Sequence, residues 1–173
     1  MLISRFAGAA AVSAVYVLLV YFAALLITGA AGGWWPDHVL GPGLGLAAGV
    51  IVVAAISLVA SVYLSATAQG IAVLMVYGAG LTAGLLGQIG HALDSHTLKA
   101  IAKVATWAVP FEALYQAGLH ALISNTTGLT GTVLQLGPFG GSQDGSLGLV
   151  VWSAFYVVAA IALAVVGFAR RDL

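Results

Sequence analysis

Residues 43–90 contain no charged side chain. A single straight helix over that stretch would be about 70 Å long, more than twice the roughly 30 Å hydrocarbon core of a bilayer. The segment must therefore turn back on itself. The short break Ser65-Ala66-Thr67-Ala68-Gln69 is where it can do so, giving two antiparallel spans near residues 43–64 and 70–89. Two more apolar stretches of spanning length lie at residues 6–31 and 147–169. Only 6% of the chain is charged and 62% is hydrophobic, where a soluble domain carries about 25% charged residues. Lipid must be its main solvent. The expected fold is all-α: one polytopic transmembrane bundle over residues 1–173, with about four spans.

The first apolar stretch follows Arg5 and runs about twice the length of a signal-peptide apolar region, so a retained anchor is expected. The stretch ends at Gly32-Gly33-Trp34-Trp35-Pro36-Asp37-His38, a polar turn with two tryptophans of the kind that sit at headgroup level. The formal net charge is zero and no basic run appears, which argues against a nucleic-acid partner. With no cysteine, disulfides, thiolate metal sites and cysteine nucleophiles are excluded. Arg5 precedes the first span and Arg170 and Arg171 follow the last. Four spans put all three on one side, and positive charge assigns that side to the cytoplasm. Lys99 and Lys103, between the third and fourth spans, are the opposing count.

Residues 91–146 are too polar to span and too apolar for a free loop. Asp94 or Ser95 can cap a helix in which Leu98, Ile101 and Ala105 share a face and Lys99 and Lys103 sit one turn apart on another. Pro110 suits the first position of a second helix, followed by Phe111, Leu114, Tyr115, Gly118 and Leu122 at helical spacing. Two short amphipathic external helices within residues 94–123, at or dipping into the outer interface, are the expectation. Beyond Asn125 the composition turns to Gly, Thr, Ser and Gln, as in an exposed loop; Asn125-Thr126-Thr127 is a glycosylation triplet of a kind common by chance.

Chemistry is sparse. His91, Asp94, His96, Glu112 and His120 are the polar candidates, but His91 and His96 are five apart and fall on different helical faces. An interfacial polar cluster is expected there, not a metal site. No Gly-x-Ser-x-Gly occurs, no Asp or Glu lies within the four spans, and Ser13, Ser57, Ser61 and Ser153 lack a base at helical reach. Neither catalytic residues nor an enzyme are expected. Gly80 and Gly84 form Gly-x-x-x-Gly, flanked by Gly78, Gly87 and Gly90, with Thr82 and Gln88 as polar members. Such a pattern reads first as close helix packing, and secondly as a helix that moves against partners or lines a pathway. There is no phosphate-binding loop, so if the chain serves an energy-dependent process its motor is another polypeptide.

Three segments together resemble the membrane subunits (permeases) of type-2 ATP-binding-cassette transporters. Val166-Gly167-Phe168-Ala169-Arg170-Arg171-Asp172-Leu173 resembles their terminal helix, which often ends in Phe-x-Arg-Arg-Asp. Gly84-Leu85-Leu86-Gly87-Gln88-Ile89-Gly90, followed by Val109-Pro110-Phe111-Glu112-Ala113-Leu114-Tyr115, resembles the fifth helix and the external re-entrant helices. Ile3-Ser4-Arg5 is similar to the segment before the third helix. The resemblance covers the last four of six spans, so the chain is either a truncated or split product or pairs with a subunit supplying two more. It implies an exporter of unidentified substrate in the plasma membrane, both termini cytoplasmic. The implied partners are a cytoplasmic ATPase carrying the ATP and a second permease or second copy; this chain itself needs no cofactor. By the same resemblance Tyr77, Thr82 and Gln88 would line the pathway, and Phe111, Glu112 and Tyr115 would shape an outer gate. The alternative is a non-transporting scaffold or assembly subunit whose glycine faces bind partner helices.

Overall fold

The computed structural model describes residues 2–33, 35–36, 38–123 and 146–170. These form six α-helices: α1 Leu2–Gly32, α2 Leu40–Tyr63, α3 Ala66–Ala92, α4 His96–Ala108, α5 Phe111–Ile123 and α6 Leu147–Ala169. No strand occurs among the described residues. The chain is an all-α bundle with four helices, α1, α2, α3 and α6, long and apolar enough to cross a membrane. It is membrane-embedded, and its surface shows why. Val12, Leu19 and Ile27 on α1, Leu74 and Met75 on α3, and Val151 and Phe155 on α6 are all exposed. Outside a bilayer that much apolar surface would drive aggregation.

Helix α2 is the hub, packing against α1, α3, α5 and α6, while α1 packs chiefly on α2. The core lies where α2, α5 and α6 meet: Val52, Phe111 and Leu114 are buried, with Ala48, Ile56, Leu149 and Tyr156 packed around them. At one end of the bundle the Tyr21 hydroxyl donates to the Val39 carbonyl (2.8 Å), tying α1 to the start of α2. At the other end Gly167 of α6 passes under the Tyr63 ring at the end of α2.

The turn between α2 and α3 is shorter than the sequence predicts. It occupies only Leu64 and Ser65, and Ala66–Gln69 forms the first turn of α3, with the Gln69 amide N–H donating to the Ser65 carbonyl (2.8 Å). The Gln69 side chain bridges back to α2, donating from Nε2 to the Ser57 hydroxyl (2.9 Å) and carbonyl (3.2 Å). Polar residues that look like a linker are instead the clasp of a helical hairpin.

Candidate functional site

The segment after α3 turns sharply at Asp94, which takes a positive φ of 49°. Its carboxylate accepts from Lys99 Nζ at 2.6 Å. Ser95 stands at the N-cap of α4 in extended conformation, but its side chain makes no capping hydrogen bond. Helix α4 then runs back along α3. Its buried residue is Ala102, whereas Ile101 is exposed, so the packed face is rotated from the Leu98–Ile101–Ala105 stripe. The reason is the partner: Ala102 Cβ lies over Gly87 of α3, 3.2 Å from where a Cβ on that glycine would stand.

Val109 and Pro110 reverse the chain again. The Pro110 carbonyl accepts from the Leu114 N–H (3.1 Å) and so opens α5; having no N–H of its own, Pro110 leaves no unpaired donor in this buried turn. Helix α5 is 13 residues long, about 20 Å, too short to span. Its first residue, Phe111, lies against Gly49, nine residues or about 13 Å into α2 from Leu40. Gly118, two turns later, meets Pro42 and Gly45 near the start of α2. The pair α4–α5 is therefore a re-entrant hairpin with its tip at Val109-Pro110: α4 descends along α3 from Gly90 past Gly87, and α5 returns along α2 from Gly49 to Pro42.

Glycines hold this hairpin on both sides. On α3, Gly90 faces Leu98 and Lys99, Gly87 faces Ala102, Gly84 faces Glu112 and Gln116, and Gly80 faces the Phe111 ring. Steps of three, three and four residues keep all four on one helical face. The Gly80–Gly84 pair faces the short helix α5, at Phe111 and at Glu112 with Gln116. On α2, Gly45 and Gly49 approach the α5 backbone at Leu114, Gly118 and Phe111.

The residues assigned to a pathway and an outer gate largely come together here. Tyr77 stacks on Phe111, with ring centroids 5.3 Å apart and planes 12° from parallel. Glu112 is only 7% exposed. Its Oε1 accepts from Gln116 Nε2 (2.9 Å), while Oε2 is buried with no hydrogen-bond partner among the described residues. Burial raises its carboxyl above the ordinary range, and the Gln116 bond offsets only part of that rise. The Tyr115 hydroxyl is raised too, by burial first and then by Glu112 and Tyr77 beside it. Gln88 flanks the seat one turn beyond Gly84 and is half-buried. Thr82 does not join the group: two residues from Gly80, it lies on the exposed opposite side and donates to the Gly78 carbonyl (2.9 Å).

Gln116 was not singled out from the sequence, although its i, i+4 spacing from Glu112 is a legible signal. Among the described residues no group of three or more His, Asp or Glu converges as metal ligands. The arrangement seats a helical hairpin against the glycines of α2 and α3 and buries the Glu112 carboxyl at its tip. Residues 124–145, with the glycosylation triplet and the expected loop, lie outside the described residues, as does Arg171. Comparison of the chain with protein-family models, with curated proteins and with solved structures finds no match.

Proposed function

We propose that the chain is a permease subunit, or part of one, of an ATP-driven exporter of the type-2 ATP-binding-cassette class. The observation that carries this reading is the re-entrant α4–α5 hairpin between the third and last long helices, seated on the glycine face of α3. Glycines let the hairpin approach α3 closely without interlocking side chains, and its tip buries the Glu112 carboxyl with one oxygen unpartnered among the described residues. Both features fit an element that shifts when a transporter changes state. In this reading Tyr77 and Gln88 border the path and Phe111, Glu112 and Tyr115 move with the hairpin. Thr82, on the far side of α3, faces a second permease copy or subunit. Coupling is conformational: ATP bound to a separate cytoplasmic ATPase rocks the helices, and no residue of this chain does covalent chemistry. Arg5 and Arg170 lie at one end of the bundle, which this reading places at the cytoplasmic face of the plasma membrane.

The test is a pull-down of the tagged chain from its native membrane in mild detergent, with mass spectrometry of its companions. A phosphate-loop ATPase together with a hydrophobic partner or a second copy is the expected result. Recovery of the chain with no ATPase, under conditions that retain known transporter complexes, would sink the proposal in favour of a scaffold.

A further inference from the structure

Both lysines of the chain, Lys99 and Lys103, lie on the wall of one cleft of about 480 Å³ between α4 and the start of α6. Thr106, Trp107, Leu149 and Trp152 line it too, with the small residues Gly87, Ala102, Ser146 and Gly148 between them. The two indoles are organised: their ring centroids are 5.3 Å apart, and Trp152 Nε1 donates to the Trp107 carbonyl at 3.0 Å. That bond occupies the Trp152 N–H and leaves the ring as apolar wall. Lys99 is held by Asp94 at the rim, the Asp94 side chain being 88% exposed. Lys103 is exposed and has no acidic partner among the described residues. The cleft therefore carries surplus positive charge above an apolar, aromatic floor.

Its height in the bilayer is set by the helices around it. Gly87, near the end of α3, and Leu149, in the first turn of α6, both border it, so it straddles the boundary between hydrocarbon and headgroups. We propose that this cleft binds an anionic phospholipid of the adjacent leaflet, its phosphate on Lys103 and Lys99 and its acyl chain along Trp107, Leu149 and Trp152. Charge complementarity selects the headgroup, and the apolar floor requires that the anion bring a chain with it. The inference stands apart from the transport reading, and it gives a role to the two lysines that oppose the positive-inside count.

The test uses the full chain with Trp34→Phe and Trp35→Phe, so that fluorescence comes from Trp107 and Trp152 alone. It is reconstituted in phosphatidylcholine vesicles containing a minor fraction of brominated phosphatidylglycerol or of brominated phosphatidylcholine. The anionic lipid should quench with an apparent affinity about five-fold higher, the order expected for one uncompensated basic side chain at a membrane surface. The combined change Lys99→Ala and Lys103→Ala should bring the ratio close to one, and Lys103→Arg should preserve it. Equal quenching by the two lipids in the parent chain, or an unchanged ratio in the double-alanine variant, overturns the proposal. Inorganic phosphate in the buffer, matched for ionic strength with chloride, should leave the ratio intact; if phosphate alone abolishes it, the ligand is a free anion and the lipid assignment fails. Native mass spectrometry of the unsubstituted chain with mixed lipids is an independent check: retained phosphatidylglycerol is expected, and retention of both lipids alike counts against the site.

Discussion

Glycine plays opposite parts at neighbouring positions of α3. A Cβ on Gly78 would meet nothing within 4 Å, whereas one on Gly90 would fall 2.9 Å from Leu98 Cβ and 3.0 Å from the Lys99 nitrogen, backbone that cannot step aside. On Gly84 it would press on the ends of Glu112 and Gln116, which are flexible but buried. Gly78→Ala should therefore be neutral or stabilising by up to about 1 kcal/mol through helix propensity. Gly90→Ala should cost about 1–3 kcal/mol by overpacking, with Gly84→Ala between them. Thermal unfolding in one detergent ranks the three, and a Gly78→Ala loss as large as that of Gly90→Ala would contradict the seat described for the hairpin. Glu112 supplies a second prediction. Because burial raises its pKa in the fold, the folded state holds the proton more tightly than the unfolded chain. Its contribution is fully present below the ordinary carboxylate value and is lost as pH rises through the raised one. Stability should accordingly fall over that window, and Glu112→Gln should flatten the slope. An identical slope in the variant would assign the effect to another group.

The re-entrant helix α5 has its own stability problem. It is clamped between α2 and α3 at glycines, so few large side chains anchor it, and Phe111 is the main one, stacked on Tyr77 and packed with Val52 and Leu114. Phe111→Ala should destabilise by about 3–5 kcal/mol, the usual cost of emptying a buried aromatic site. Gly45→Leu should act from the other side, since Gly45 lies against the α5 backbone at Leu114 and Gly118. The absence of cysteine makes this measurable: a single Ala113→Cys, at a position 1% exposed, should resist a maleimide in the parent and react faster with Gly45→Leu present. Equal reactivity in both would mean that Gly45 does not seat the helix. At this scale the sequence was partly legible. The helical spacing of Phe111, Leu114 and Gly118 is visible in the chain, and all three are buried. The face of α4 was not, because Ile101 is the more hydrophobic residue and Ala102 the one that fits against Gly87. Steric fit overrode hydrophobicity.

Across the bundle, the described helices put Ser4 and Ser65 at one end and Ser95 and Ser146 at the other. Single cysteines at these four positions should label in two pairs in right-side-out vesicles, Ser4→Cys with Ser65→Cys from inside and Ser95→Cys with Ser146→Cys from outside. Ser4 and Ser65 labelling from opposite sides would break the four-span arrangement, and both pairs exchanging sides would reverse the orientation while leaving the fold intact. The broad exposed apolar faces of α1, α3 and α6 meet lipid or partner helices, and the pull-down separates these possibilities.

Sequence alone determined that this is a helical membrane protein with four long helices. Lipid admits only helices or closed barrels, and these uninterrupted apolar stretches are about twice the length of a barrel strand, which leaves helices. It also exposed the glycine row on α3 and the amphipathic character of the segment that follows. Only the tertiary structure decided what that row is for. Which surface a glycine face receives depends on contacts between residues distant in the chain, and local spacing carries no record of them. The same holds for Thr82, whose place on the far side of α3 follows from where α5 packs. It holds also for Trp107 and Trp152, 45 residues apart in sequence and joined by one hydrogen bond. Hydrophobicity selects the solvent, and steric complementarity between particular surfaces selects the arrangement within it.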